Sequence, residues 1–333
     1  MHQPHLAVLS RFDMVVSAGA VNSLGNAGGF SGARLWKFSS NQATWCLRRW
    51  PIEHPDEQHL AWVHQTLLRA VAGGIEFVPA PRATPTEQTF IRYDGYLWEL
   101  TNWMPGAATF WAAPSPRKLT NAMGALARFH RAVAPVEPQH DFAPAVATRQ
   151  QRLAEWQAIT ADASWKHRIA TNNRFEPQLT ELLTWLPANL DPLKEALDQA
   201  SRCSVPRQAC LRDVWHDHIL FQADQVTGVI DFGAMRVDSI ATDIARLMGS
   251  LVGDDADAWQ AGLEAYESVR PLSEEERSLL ATLDWANLIL AAANWIRWLC
   301  LEGRRFEDEN AVQQRIEAIL RRLQTRRDSF DLS

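Results

Sequence analysis

Lysine is nearly missing: only Lys37, Lys118, Lys166 and Lys194 stand among 33 basic residues, which leaves 29 arginines. Arginine does not deprotonate in proteins, so Schiff-base and lysine-base chemistry start at a disadvantage. Cysteine is also scarce. Cys46, Cys203, Cys210 and Cys300 form no C-x-x-C pair and no His/Cys ligand spacing, which argues against a disulfide framework or a zinc ribbon and for reduced thiols in a cytoplasmic protein. There is no excess of positive charge; the net charge is −6, and a nucleic-acid partner is not expected. Nor is there a long uninterrupted apolar run. Leu283–Leu301 is broken by Asp284, Asn287, Asn294 and Arg297 and reads as a buried helix rather than a membrane span. Residues 1–14 lack the apolar centre of a secretory signal, so no membrane association is expected. No internal repeat or low-complexity tract stands out.

What is present is an ordinary globular composition, 47% hydrophobic and 22% charged, over 333 residues. That length suits about two domains. Up to residue 103 short β-rich runs dominate: 33–38, 44–50, 89–93 and 96–100. Asp94-Gly95 reads as a tight primed hairpin turn. One helix, 55–72, interrupts these strands, with Leu60, Val63, Leu67 and Val71 on one face and Gly73-Gly74 ending it. From Trp103-Met104-Pro105-Gly106 onward the pattern is helical: 119–133, 148–160, 177–186 and 193–200, then 241–252, 255–269, 273–301 and 309–325. Ser273 and Glu276 form a capping box. A short β segment, 219–221 and 226–232, is embedded among the helices. The expected class is α+β, with domains 1–103 and 104–333 and a ligand cleft between them.

The chemistry concentrates in Cys210-Leu-Arg-Asp213-Val-Trp-His216-Asp217-His218, followed by Val229-Ile-Asp231-Phe-Gly233 and by Asp243. An Asp before a short strand and a second at the end of its partner put two carboxylates near one end of a hairpin. One can accept a proton from a hydroxyl nucleophile, and the other can hold a metal ion on a phosphate. Either alone reads as a loop cap; the pair with Phe232-Gly233 reads as chemistry. Of Arg48 and Arg49, adjacent on a strand, only one can face a cleft, and with Leu47 as apolar partner the inward one is Arg48.

This ordered set resembles the aminoglycoside phosphotransferase-like superfamily, the phosphotransferase enzyme family. The family pattern is H-G-D-x-x-x-x-N, a hairpin, I-D-F/W-G or E, and a later Asp, and the resemblance covers nearly the whole chain. It implies a protein-kinase-like two-lobe fold, with a small β-rich N-lobe containing one helix and a larger, mostly helical C-lobe. Residues 1–103 would be the nucleotide-binding lobe and 104–333 would carry the catalytic loop and substrate region. Asp213 would be the catalytic Asp, and Asp231 would bind magnesium. Gly28, Gly29, Ser31 and Gly32 would cover the phosphates, Arg48 would grip them, and Asn102 and Trp103 would form the hinge that receives adenine. The implied cofactors are ATP and Mg2+, with Mn2+ as a variant, and the implied partner is a small-molecule hydroxyl substrate.

The chain departs from the pattern at three places. Leu211-Arg212 replaces His-Gly, Arg48 replaces the usual Lys, and His218 replaces the metal-binding Asn. An imidazole is a poor magnesium ligand. One metal site is lost, or His218 binds a softer ion, or it hydrogen-bonds while Asp217 or water completes the shell. These departures keep a nucleotide-binding pseudokinase or scaffold as an alternative. His216 and His218 on one strand face would suit a metal-dependent phosphohydrolase, a weaker alternative. Glu57 opens the helix whose carboxylate would hold Arg48, although His64 lies closer to the usual position. Asp243 reads as a brace for the metal loop or a ligand contact. Asp254, Asp255 and Asp257 read as a solvated helix start, with attraction of a cationic substrate as the alternative. Acceptor choice would reside in the helices of about 135–205.

Overall fold

The computed structural model describes residues 4–25, 32–162, 164–165, 174–306 and 308–331. In chain order the elements are α1 (Pro4–Arg11), β1 (Asn22–Gly25), β2 (Arg34–Ser40), β3 (Ala43–Arg49), α2 (Glu57–Ala72), β4 (Phe90–Tyr93), β5 (Tyr96–Asn102) and α3 (Pro116–Ala132). There follow β6 (Gln139–Phe142), α4 (Pro144–Ala161), α5 (Glu176–Ala200), β7 (Ser204–Cys210), β8 (Ile219–Gln222), β9 (Gln225–Val229) and β10 (Arg236–Asp238). The last four helices are α6 (Ala241–Leu251), α7 (Ala256–Glu267), α8 (Glu274–Ile296), which runs into a π turn at Arg297–Leu301, and α9 (Glu309–Asp331). The chain divides into two compact units, Met1–Ala134 with Asp213–Met235, and Pro135–Arg212 with Arg236–Ser333.

The first unit is built on a five-stranded antiparallel sheet in the order β1-β2-β3-β5-β4. Strand alternation sorts its faces. Trp36, Phe38, Leu47, Trp98 and Leu100 pack against Val8 and Leu9 of α1 and against Phe12 just after it; α1 has no counterpart in the expected single-helix lobe. Its eight residues are too few to show a helical period against the polar residues around them. The other face meets α2, where Leu60 packs with Trp50 and Leu97. Asp56 caps α2 by accepting the His59 amide at 2.7 Å, a bond typically worth about 1 kcal/mol. Asp94 and Gly95 have φ of 51° and 78°, the two positive values that a primed hairpin turn requires.

The β8–β9 hairpin belongs to this same unit and is held there by the junction after β5. Ala107 bridges Phe221, and Thr227 Oγ1 donates to the Pro105 carbonyl at 2.7 Å. Only glycine fits at 106: a Cβ there would lie 2.5 Å from Thr227 Oγ1, and its φ is +95°.

In the second unit α8 is the central helix, packed by α4, α5, α6 and α9. Ser273 and Glu276 form the reciprocal capping box at its start. Glu274–Leu301 is apolar and long enough to cross a membrane, yet 67% of its apolar window is buried in the structure. The separate helices expected at 177–186 and 193–200 are one helix, α5, which continues through Pro187 and Pro192. Leu182, Leu186, Leu190, Leu193 and Leu197 keep one stripe buried across both prolines, and that burial offsets the lost backbone bonds. A three-stranded sheet, β10-β7-β6, was not expected: β6 and β10 have four and three residues, too few to be read, and the seven residues of β7 include Pro206 and lack apolar–polar alternation.

Candidate functional site

A cavity of about 160 Å³ lies within the first unit, between the α2 face of the sheet and the β8–β9 hairpin. Strand alternation decides who faces it. Cys46 and Arg48 of β3 and Glu99 and Thr101 of β5 line the cavity, whereas Leu47 is fully buried in the opposite core. Arg49 points away and lies over the Tyr96 ring at 4.2 Å. Arg48 is thus the inward cation.

Arg48 is held between two carboxylates. Its Nε is 3.5 Å from Glu99 Oε1, and its Nη1 donates to Asp231 Oδ1 at 3.3 Å. Its guanidinium also lies 4.6 Å from the centre of the Trp50 ring. Burial disfavours its charge, but Asp231 and Glu99 outweigh this and raise its pKa further. Glu99 is 7% exposed. Burial pushes its carboxyl up; the hydrogen bond from His64 and the charge of Arg48 prevail and hold it below the usual glutamate range. His64 Nε2 meets Glu99 Oε2 at 2.7 Å, and Nδ1 meets Thr89 Oγ1 at 2.8 Å.

The carboxylate beside Arg48 therefore comes from β5, not from α2. Glu57 is a correction: it pairs with Arg92 at 2.6 Å on the surface, because the first turn of α2 faces β4. The polar α2 residue that lines the cavity is His64, beside Val63 and Leu67. Glu99 was not singled out from the sequence, although it stands directly opposite Arg48 in the β3–β5 register. The missing information was that β3 pairs with β5 rather than with its sequence neighbour β4.

Asp231 follows β9 with a left-handed φ of 65°, a sparsely populated conformation for a residue with a Cβ. Its side chain is 46% exposed. Burial raises its pKa, but the charge and the hydrogen bond of Arg48 lower it on balance. The next glycine is sterically required: a Cβ on Gly233 would lie 2.7 Å from Trp50 Cη2.

Asp213 is exposed, in the turn before a short 3-10 segment, His216–His218. His216 and His218 are consequently not on a strand face, which removes the geometric basis of the phosphohydrolase alternative. His216 stacks on Trp111 with ring centres 3.5 Å apart. His218 Nε2 accepts from the Trp215 indole at 2.8 Å, so Nδ1 carries the proton and donates to the Asp213 carbonyl, also at 2.8 Å. Both ring nitrogens of His218 are thus engaged in hydrogen bonds, and Nε2 also lies 3.7 Å from Asp231 Oδ2.

The residues before Asp213 are braced within the second unit. Asp243 accepts the backbone amides of Leu211 and Arg212, each at 2.6 Å. Arg212 has φ of 66°, at the position where the family pattern has glycine. Asp243 is thus a brace.

Asn102 and Trp103 lie at the cavity edge. Their amides are already used, donating to Ala80 O at 3.3 Å and Thr44 O at 2.9 Å. The Met104 amide has no backbone acceptor among the described residues. Leu35, Leu220 and Ile230 supply apolar walls. Cys46 is a free thiol whose pKa burial raises to about 11, so it packs rather than reacts. Gly32 has φ of 77°; Gly28, Gly29 and Ser31 lie outside the described residues. The acidic group at 254–257 is structural: Asp254 binds Arg322 and Arg326, and Asp255 caps α7.

Asp231 suits a magnesium ion: an ionised, accessible carboxylate offers hard oxygen, and Mg2+ is commonly held by one or two carboxylates with water and substrate phosphates completing its shell.

The homoserine kinase of Gluconobacter oxydans (strain 621H) is 36% identical over 84 residues, 24% of this chain and 27% of that protein. The homoserine kinase of Methylobacillus glycogenes is 30% identical over 171 residues, 50% of this chain and 46% of that protein. The chain thus spans between about a quarter and a half of the length of these curated relatives. Among solved structures, an aminoglycoside phosphotransferase from Alicyclobacillus acidocaldarius superposes with a TM-score of 0.61 at 18% identity, covering 96% of this chain and 95% of that one. A spectinomycin phosphotransferase in complex with ADP and spectinomycin gives 0.64 at 11% identity over 97% and 98%. A microcompartment-associated aminopropanol kinase gives 0.60 at 12% identity over 95% and 93%. At these identities the likeness shows the fold, which is the protein-kinase-like α+β fold. The model of the phosphotransferase enzyme family matches residues 24–279, more than half of the chain, and the chain therefore belongs to the phosphotransferase enzyme family.

Proposed function

We propose that the protein is an ATP-dependent phosphotransferase that moves the γ-phosphoryl group of ATP to a hydroxyl of a small molecule. The observation that carries this reading is the meeting of Arg48 and Asp231 at 3.3 Å in one cavity. One is a fixed cation suited to phosphate oxygens, the other a carboxylate suited to a metal ion on them. The guanidinium fork can bridge two phosphate oxygens, where an ammonium would act as a point charge. Adenine would lie between the apolar walls, with the Met104 amide as donor, and the 28–32 loop would cover the phosphates. Bound Mg2+ would neutralise phosphate charge as transfer proceeds. Asp213 would orient the acceptor hydroxyl and take its proton, in a reaction where alignment and charge neutralisation supply most of the catalysis. The homoserine kinase relatives and the aminopropanol kinase neighbour support a small hydroxyl acceptor.

The test is transfer of labelled γ-phosphate to a panel of hydroxylated amines, sugars and amino acids, with Asp213→Ala and Asp231→Ala as controls. Loss of turnover in both folded variants supports the reading, and normal activity in both overturns it. A thermal shift with ATP and no transfer to any acceptor would favour the nucleotide-binding scaffold.

A further inference from the structure

Within the first unit, an aromatic side chain from another part of the chain packs against the segment that bears Asp213. Trp111 lies on the loop between β5 and α3 and is 47% exposed. Its inner face stacks on His216, with ring centres 3.5 Å apart and planes 15° from parallel. His216 is buried, and Trp215 meets it edge to face at 4.6 Å and 81°. The Trp215 indole donates to His218, whose other ring nitrogen donates to the Asp213 carbonyl. Trp111, His216, Trp215 and His218 thus form one continuous set of ring contacts and hydrogen bonds that ends at the backbone of Asp213.

The loop that carries Trp111 is itself anchored. Lys118, buried in the first turn of α3, sends its ammonium to three oxygens of residues 109–113: Thr109 O at 3.2 Å, Thr109 Oγ1 at 3.1 Å and Ala113 O at 2.7 Å. An ammonium has three donors, and burying it is costly unless they are used. Here all three are spent on the loop, on either side of Trp111. Ala107 also exchanges both backbone bonds with Phe221 of β8, at 3.1 and 2.9 Å, and the buried Phe110 ring lies 6.5 Å from that of Phe221. The loop is held by α3 and by the hairpin, so Trp111 is a fixed wall against which the 213–218 turn rests. Asp213 itself is exposed, and an exposed carboxylate keeps its aim only when the backbone beneath it is held.

We propose that Trp111 is a positioning residue for phosphoryl transfer: its stack on His216 fixes the turn from which Asp213 addresses the acceptor hydroxyl, and Lys118 anchors that stack. The proposal rests on the phosphotransferase reading, in which Asp213 takes the hydroxyl proton. It adds a residue from outside the stretch that carries the family pattern. Alignment supplies most of the catalysis in such a transfer, and a misplacement of about 1 Å can cost on the order of 10²-fold.

The experiment is steady-state kinetics of wild type, Trp111→Ala and Trp111→Phe with an acceptor that the wild type turns over, together with calorimetric ATP titration. Trp111→Ala should lower kcat by about tenfold or more while the Kd for ATP stays within about twofold, the pattern of lost alignment. Trp111→Phe, which keeps a flat ring on His216, should recover most of kcat. Lys118→Met, which fills the same space without the donors, should lower kcat in the same way as Trp111→Ala. A kcat for Trp111→Ala within about twofold of wild type overturns the proposal. So does a Trp111→Ala variant in which kcat, ATP affinity and Tm fall together and Trp111→Phe restores none of them, because that is the signature of a merely structural tryptophan. Nuclear magnetic resonance of the histidine-labelled full chain reads the link without turnover. Trp111→Ala should shift the imidazole resonances of both His216 and His218, and Trp111→Phe should leave His218 near its wild-type position. A shift confined to His216 would show that the stack does not reach the turn, and would overturn the proposal even in an active enzyme. If the wild type transfers phosphate to no acceptor, the phosphotransferase reading fails, while a shift at both histidines still upholds the link from Trp111 to the Asp213 turn.

Discussion

Arg48 and Glu99 stand directly opposite each other across the β3–β5 ladder, with Nε and Oε1 3.5 Å apart. Backbone pairing thus places the countercharge, whereas a helix carboxylate would depend on how the helix docks. His64, 1% exposed on α2, supports Glu99 from the far side.

The pair predicts a graded series for nucleotide binding. Arg48→Ala removes the only cavity-facing cation of β3 and should weaken ATP binding severely, by tenfold or more in Kd. Arg48→Lys should retain it, since a point charge still reaches phosphate. Glu99→Gln should fall between the two, because the amide leaves Arg48 tied to Asp231 alone. What Glu99→Gln removes is the charge of an ion pair at 3.5 Å. Calorimetric ATP titration of the three variants checks the order.

His64→Glu puts a second carboxylate against Glu99, and like charges in a buried site are costly. The single variant should lower Tm. Adding Glu99→Gln should recover both Tm and ATP affinity, because one carboxylate then remains to face Arg48, now on the helix. Failure of the double variant to improve on the single one would show that the strand position itself is required.

His218 predicts a different kinetic signature. Its ring ties the Asp213 carbonyl to the Trp215 indole, so its expected role is to position the turn bearing Asp213 rather than to hold nucleotide. His218→Ala should lower kcat by at least tenfold with the KM for ATP changed by no more than about twofold, the pattern expected when only alignment is lost. A parallel rise in KM for ATP would place His218 at the metal–nucleotide end instead.

The sequence showed much of this site and missed specific parts for physical reasons. The inward face of Arg48 and the place of Asp231 beside it were legible because strand alternation and loop spacing are local. Glu99 was not, since its importance depends on which strand pairs with β3. The bracing role of Asp243 was legible only as one of two options, since it depends on backbone amides 31 and 32 residues away in sequence. In the fold, the helices with a continuous apolar stripe were readable, whereas α1, β6 and β10 are too short to show a period. The prolines of α5 suggested a break that the leucine stripe overrides.

A last prediction concerns the acid limb of stability. Asp254 receives Arg322 Nη2 at 2.9 Å and Arg326 Nε at 2.8 Å. Burial raises its carboxyl, but the two arginines outweigh this and hold it below the ordinary 3.8. A carboxyl lowered in the folded state contributes stability that is fully present above its unfolded value and lost as pH falls through its folded value. Asp284, which shares both arginines, shifts the opposite way, since burial and the charge of Asp254 raise it; Asp254→Asn removes that repulsion, which makes the gap at neutral pH smaller but does not reverse its closing in acid. The Tm gap between wild type and Asp254→Asn should therefore be constant from pH 7 to about pH 5 and close below pH 3.8. Arg322 should report the same network: its Nη1 also donates to the Gly249 carbonyl at 3.2 Å, so Arg322→Met should lower Tm more than Asp254→Asn at pH 7, and that gap should also narrow in acid. A Tm gap for Asp254→Asn that widened as pH fell below 3.8 would mean that the folded state raises this carboxyl, contrary to the two-arginine geometry.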